Sequence, residues 1–233
     1  MPEFYKTKNR INSYVFINEL CQYLADDDTV VTDMGTSLTC TMQTFKARGR
    51  QRLFTNIGLA PMGYGLPGAI GAWFGSRGRR IVGIFGDGGF QMNIQELQTV
   101  VHYKVPLKIF ILNNESYLTI KHTQELFFDN YYAGSEPKSG YSAPSFTKIA
   151  KAYGITSYKL SDPRKLKAMI KSVFSKKHAN EPVICEVMMP VDQPLMPLSL
   201  LDKSRGYSGS PLERMYPFLS EDEHKNNMIV EPA

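Results

Sequence analysis

Long apolar runs are absent from this sequence. None approaches the roughly 20 residues that span a bilayer, and the opening Met1-Pro2-Glu3-Phe4-Tyr5-Lys6 lacks the apolar core of a secretory leader. Neither a membrane partner nor export is expected, and a cytoplasmic location is. Cysteine is scarce. Cys21, Cys40 and Cys185 are odd in number, far apart and free of any CxxC spacing, which speaks against a disulfide framework or a zinc site and for buried free thiols. No GxGxxG follows the first apolar strand, which disfavours a nucleotide-binding Rossmann protein, and internal repeats and low-complexity tracts are missing. The net charge of +5 comes from scattered basic residues, and the longest cluster, Lys176-Lys177-His178, closes an expected helix. Without a recognition motif beside that charge, nucleic acid is not an expected partner.

What is present is an ordinary globular composition, 42% hydrophobic and 21% charged, in a chain long enough for one good core and too short for two enzyme domains. Apolar, β-branched runs at residues 29–32, 52–55, 80–85, 107–112, 155–160 and 182–187 read as strands. Stretches of helical period at 11–25, 37–46, 64–74, 93–103, 145–153 and 163–176 alternate with them. Runs such as IVGIF and LKIFIL are apolar on both faces, the mark of a parallel sheet covered by helices. The expected fold is α/β, a doubly wound, mainly six-stranded parallel sheet. Residues 1–10 are expected to be an N-terminal extension, 11–190 the sheet domain and 191–233 an extended arm, because the tail carries several prolines and little periodicity. Residues 130–144, NYYAGSEPKSGYSAP, should form a long loop of the kind that is functional or mobile.

Ligands of such sheets sit beyond the carboxyl ends of the strands. Three loops there are unusual: Asp33-Met34-Gly35-Thr36-Ser37, Gly86-Asp87-Gly88-Gly89 and Asn113-Asn114-Glu115-Ser116. Asp87 ends one buried strand and Asn114 the next, so a right-handed crossover brings both to one sheet edge. Magnesium takes six oxygens, usually one or two from protein and the rest from phosphate and water. Asp87, Asn114 and a backbone carbonyl just after it, at Ser116, suit that ion, while Gly86, Gly88 and Gly89 let backbone N–H groups approach a phosphate at a helix start.

The motif GDG, followed by residues 89–112 and then NN, resembles the thiamine-diphosphate and magnesium motif of the acetolactate synthase and pyruvate decarboxylase superfamily. Residues 58–72, GLAPMGYGLPGAIGA, resemble the acetolactate synthase segment that cups the cofactor's aminopyrimidine. The resemblance implies that Met62 wedges thiamine diphosphate into its bent form and that the Ala60 carbonyl and Met62 N–H bind the pyrimidine edge. The family's usual residue at Ala60 is glycine, and a backbone contact tolerates alanine where φ is negative. Gly35, Thr36 and Ser37 match the loop that gives N–H or hydroxyl groups to the diphosphate, with a plain helix N-cap as the alternative for Ser37. Tyr117 and Leu118 complete the implied cofactor contacts.

The runs NNESYLTIKHTQELFF, SGYSAPSFTKIAKAYG and PLERMYPFL resemble acetolactate synthase-like proteins of surface-polysaccharide gene clusters. Thr123 stands where amino-acid-pathway enzymes carry an acceptor-pocket tryptophan, and His122 replaces a usual glutamine. His122 reads first as a surface histidine and second as a substrate contact. The superfamily activates its cofactor with a glutamate on a pyrimidine-binding domain; Glu19, Glu96 and Glu115 do not suit that role, so no catalytic residue is assigned in this chain. The implied enzyme decarboxylates a 2-oxo acid, pyruvate first, and transfers the two-carbon unit to an acceptor. It should pair with a pyrimidine-binding domain or subunit in a homo- or hetero-oligomer. A simple 2-oxo acid decarboxylase subunit of the sulfopyruvate or phosphonopyruvate type, or a non-catalytic cofactor-binding module, are the alternatives.

Overall fold

A computed structural model describes residues 2–76, 78–199, 201–202, 208–209, 211 and 213–230. Six strands form one sheet: β1 (Thr29–Thr32), β2 (Arg52–Phe54), β3 (Ile81–Gly86), β4 (Lys108–Asn113), β5 (Thr156–Leu160) and β6 (Val183–Met188). Their order is β2-β1-β3-β4-β6-β5, and every neighbouring pair is parallel. The expected doubly wound sheet is therefore what the chain forms.

The central strands are buried along almost their whole length, and successive side chains point to alternate faces, as those of a pleated strand must. Val82, Ile84, Phe110 and Leu112 face α1 (Ser13–Leu20) and a helix near the C-terminal end of the sheet domain, Leu166–Val173. Val31, Phe85, Ile109 and Ile111 face the opposite layer, which includes Leu66, Ala69 and Ile70 of Gly65–Gly75. Both faces are thus dry, and the carboxyl ends of the strands are where backbone groups stay free to meet a ligand. From β1 the chain steps outward to β2, and from β3 it steps the other way to β4, so the crevice between β1 and β3 is the topological switch point.

The helices, in chain order, are α1, α2 (Thr36–Thr44), α3 (Gly65–Gly75), α4 (Asp87–Met92), α5 (Leu97–His102), α6 (Leu118–Phe127), α7 (Phe146–Ala152), α8 (Leu166–Val173) and α9 (Glu221–Asn227). Two departures from the expected pattern matter for the site. The single helix expected over 93–103 is instead a short 3-10 turn at Ile94–Glu96 followed by α5, and Asn93 separates that turn from α4 before it. Asn93 leaves helical backbone, at φ −130° and ψ 34°, and its side-chain N–H donates to the Gly63 carbonyl at 2.8 Å. That tertiary bond outweighs local helical preference. The other departure is α6, which lies where no helix is expected and begins on the residues that follow the Asn-Asn pair.

Among the described residues no helix is long and apolar enough to cross a membrane. Cys21, Cys40 and Cys185 are free and buried, and burial pushes the Cys40 thiol up to about 11 and the Cys185 thiol up to about 12. The chain divides into two compact units, Met1–Gln193 and Pro194–Ala233. Within the second, Leu198 and Tyr216 form an antiparallel bridge, and Ser220 caps α9 by accepting the Glu223 N–H.

Candidate functional site

Asp33 directly follows β1 and is 1% exposed. Its carboxylate accepts the Met34 N–H at 2.8 Å and the Gly63 N–H at 3.1 Å to each oxygen, stitching the end of β1 to the loop that carries Met62. Burial raises its pKa, and the surrounding backbone N–H groups oppose the rise. Asp33 was not among the expected site residues, although it is an acid just past a strand end with a glycine two residues on, a signal akin to the one that marks Asp87. Gly35 follows with φ +81°, a left-handed conformation that glycine takes without penalty. Ser37 turns back into its own helix, its hydroxyl donating to the Asp33 and Met34 carbonyls at 3.1 Å.

At the end of β3, Asp87 opens α4 and is 2% exposed. One carboxylate oxygen accepts the Gly88 N–H at 2.9 Å, and the other has no hydrogen-bond partner. Desolvation pushes its pKa up to about 7, against the opposing pull of the Gly88 N–H, the Tyr141 hydroxyl and the backbone of Glu115 and Ser116. The two glycines that follow are demanded by packing as well as by approach to a ligand. A Cβ on Gly88 would overlap the Tyr117 ring, and one on Gly89 would overlap the Asp33 carboxylate.

The Asn-Asn pair at the end of β4 divides its work. Asn113 donates to Glu186 at 2.7 Å and accepts the Glu115 N–H at 3.0 Å, so it is consumed by the fold. Asn114 instead keeps a buried, unpartnered amide nitrogen, and an amide presents its oxygen in the same place after a flip. The Ser116 hydroxyl is likewise buried without a partner. Glu115, at φ +55°, holds the sharp turn between them and pairs with Arg10 at 3.0 Å.

Ala60 does not meet the condition of a negative φ. Its φ is +50°, not negative, so it occupies the conformation in which glycine is favoured, and the short Asn56–Ala60 turn imposes it through the Ala60 N–H to Asn56 carbonyl bond at 3.1 Å. Met62 is half-buried.

These loops enclose a cavity of about 360 Å³. Gly35, Thr36, Ala60, Met62, Gly86, Asp87, Gly88, Gly89, Asn114, Ser116, Tyr117 and Leu118 all line it, joined by Met34, Thr39, Leu112, Thr119 and Ile120. Ser37, His122 and Thr123 are not in the lining. Nor are Glu19, Glu96 and Glu115, so Asp87 is the only carboxylate among the lining residues. A larger cavity of about 620 Å³ lies beside Arg52, Gly71 and Arg79, but none of its lining residues carries an unpartnered buried polar atom.

Asp87 Oδ2, Asn114 Nδ2 and Ser116 Oγ are orphaned around one cavity, and burying such groups without partners costs about 1–3 kcal/mol each. No group of three or more His, Cys, Asp or Glu side chains that could hold a metal occurs among the described residues. One carboxylate, one amide and backbone oxygens do not complete an ion's shell alone. They fit a hard cation that takes its remaining oxygens from a phosphate and water.

The family model described as "Thiamine pyrophosphate enzyme, C-terminal TPP binding domain" matches residues 33–187. The chain is 36% identical over 159 residues to the acetolactate synthase large subunit of Cyanidium caldarium, covering 68% of this chain and 26% of that protein. It is 31% identical over 203 residues to the mitochondrial acetolactate synthase catalytic subunit of Aspergillus candidus, covering 85% of this chain and 28% of the relative. With the large subunit from Lactococcus lactis subsp. lactis it shares 30% over 199 residues, 84% of this chain and 33% of the relative. The match thus spans a quarter to a third of the length of these relatives.

Proposed function

The chain belongs to the thiamine pyrophosphate enzymes through their C-terminal TPP-binding domain, and on that premise we propose that it anchors thiamine diphosphate and Mg²⁺ in an acetolactate synthase-like enzyme. The observation that carries the proposal is the pair of orphaned side-chain groups on Asp87 and Asn114 around the switch-point cavity.

Asp87 and Asn114 hold the ion through their side-chain oxygens, and Ser116 through its backbone carbonyl. The backbone around Gly35, Thr36, Gly86, Gly88 and Gly89 receives the diphosphate, where N–H groups at helix starts favour an anion. Met62, carried on the loop that Asp33 fixes, would press on the cofactor, and the Ala60 carbonyl and Met62 N–H would meet its pyrimidine edge. Tyr117 and Leu118, which also line the cavity, would complete the cofactor contacts. When bound, the cofactor supplies the carbanion chemistry that decarboxylates a 2-oxo acid, pyruvate by preference, and carries a two-carbon unit to an acceptor.

The acid that activates the cofactor comes from a pyrimidine-binding domain or subunit. In support, the lining contains one carboxylate, Asp87, and that group is committed to the ion. An oligomer or a longer polypeptide follows from that need. The test is product analysis with pyruvate, thiamine diphosphate and Mg²⁺ after the pyrimidine-binding partner is supplied. Acetolactate is the expected product. Acetaldehyde without acetolactate would make the protein a simple decarboxylase subunit, and unconsumed pyruvate would count against both.

A further inference from the structure

The residues before α1 read from sequence as an N-terminal extension, with nothing in their composition to tie them to a site. The structure anchors them. The Phe4 ring stacks on Tyr14 of α1 with centroids 5.2 Å apart, the Thr7 hydroxyl donates to the Arg10 carbonyl at 2.7 Å, and the Ile11 N–H donates to the Met188 carbonyl at 2.9 Å. Met188 ends β6, and in the register of the sheet it pairs with Asn113 at the end of β4. The backbone at residues 10–11 therefore lies at the carboxyl edge of the sheet, one strand away from the turn at 113–116.

The Arg10 side chain crosses that gap, its Nη2 donating to Glu115 Oε2 at 3.0 Å. Glu115 stands between Asn114 and Ser116, the two residues assigned to the ion beside Asp87, and holds φ +55°, a conformation unfavourable to any residue with a Cβ. Other bonds grip the backbone of this turn. The Glu115 N–H donates to Asn113 Oδ1 at 3.0 Å, the Asn113 amide donates to Glu186 at 2.7 Å, and the Tyr117 N–H donates to the Ser135 carbonyl at 2.8 Å. Arg10 supplies the tie on the Glu115 side chain. Neither Arg10 nor Glu115 lines the cavity, and with side chains 34% and 41% exposed their pair adds little to the stability of the fold. Arg10 Nη1 is buried without an acceptor, which costs stability rather than adding to it. What the pair commands is the direction of a turn whose flanking residues carry the oxygens of the ion site.

We propose that Arg10 is a positioning residue for the ion site: by holding Glu115 it fixes the turn that aims the Asn114 side chain and the Ser116 carbonyl, so the N-terminal segment shapes the site without touching its ligand. The groups behind a metal's ligands set their direction, and losing such support weakens the metal. Charge alone gives a different pattern of signs. A cation beside the site repels the ion, so by charge alone loss of Arg10 tightens Mg²⁺ binding and loss of Glu115 weakens it. Positioning through the pair weakens binding in both cases.

The inference rests on the cofactor reading above, and the experiment separates the two. MgCl₂ is titrated calorimetrically into the purified chain at saturating thiamine diphosphate for wild type, Arg10→Met, Glu115→Gln and the double variant, and the melting temperature of each metal-free chain is read alongside. Arg10→Ala replaces Arg10→Met if the methionine chain does not fold. The expected result is a Mg²⁺ dissociation constant raised about three- to fivefold in Arg10→Met, the most that a half-exposed pair supplies, raised as much in Glu115→Gln and no further in the double variant. Unchanged or tighter Mg²⁺ binding in Arg10→Met would overturn the inference and leave the cofactor reading intact, as would losses that multiply in the double variant. A lower melting temperature of metal-free Arg10→Met with an unaltered dissociation constant would also overturn it, by assigning Arg10 to stability alone. Absence of any Mg²⁺ binding in wild type would remove the cofactor reading and the inference together.

Discussion

Replacing Asp87 by asparagine should stabilise the metal-free chain at alkaline pH while destroying its response to the ion. The side chain is 2% exposed, and burial raises its pKa from 3.8 to about 7. Because the folded-state pKa lies above the unfolded one, the fold prefers the protonated acid. The stability that Asp87 contributes is therefore full below about pH 4 and is lost progressively as pH rises through about 7. At about 1.36 kcal/mol per pH unit the whole window is worth about 4 kcal/mol, a ceiling that relaxation and entering water reduce. Asparagine accepts the same Gly88 N–H without a charge to desolvate. In chelator-containing buffer, urea unfolding should show matching stabilities at pH 4 and a gain of about 2–4 kcal/mol for Asp87→Asn at pH 8. A gain of the same size at both pH values, or a loss at pH 8, would refute the claim that an unpaired buried carboxylate strains the metal-free site.

The remaining expectations are read in three other assays. Ala60→Gly relieves a left-handed alanine worth about 1–2 kcal/mol and returns about 0.5–1 kcal/mol of chain entropy to the unfolded state, so denaturant unfolding should show a gain of up to about 1 kcal/mol; a loss would mean that the alanine methyl packs usefully. Met62→Ala should lower kcat in the assembled enzyme at least tenfold while leaving the MgCl₂ half-saturation in place, because a thioether side chain offers no oxygen to a hard cation; parallel losses in both would make it a packing residue. Proton exchange at the thiazolium C2 position, followed by NMR with Mg²⁺ and this chain alone, should proceed at the rate of free thiamine diphosphate. Clear acceleration would reveal an activating acid within the chain.

The sheet was legible because its strands are apolar on both faces, and a run such as Ile109, Phe110, Ile111 and Leu112 has no other way to be buried. Asp87 and Asn114 were legible as candidates because chemistry at the end of a buried strand has few innocent explanations. What the sequence concealed was made by distant partners. Asn93 breaks a helix on account of Gly63, thirty residues earlier in the chain. Asp33 gains its role from the N–H of Gly63, a contact that no local pattern encodes. Ser37 shows the reverse: its position suggested a phosphate contact, but carbonyls of its own turn take the hydroxyl. Asn113 and Asn114 are identical in type, and only Glu186 decides which of them the fold consumes.

The central claim is that this chain binds thiamine diphosphate and Mg²⁺ as a linked pair through Asp87. Calorimetric titration of thiamine diphosphate into the chain, once with MgCl₂ and once with chelator, tests it most directly. The account predicts saturable binding with MgCl₂, at least tenfold weaker binding with chelator, and no difference between the two buffers for Asp87→Ala. Equal affinity in both buffers for the wild-type chain, or a magnesium effect that survives in Asp87→Ala, would contradict it.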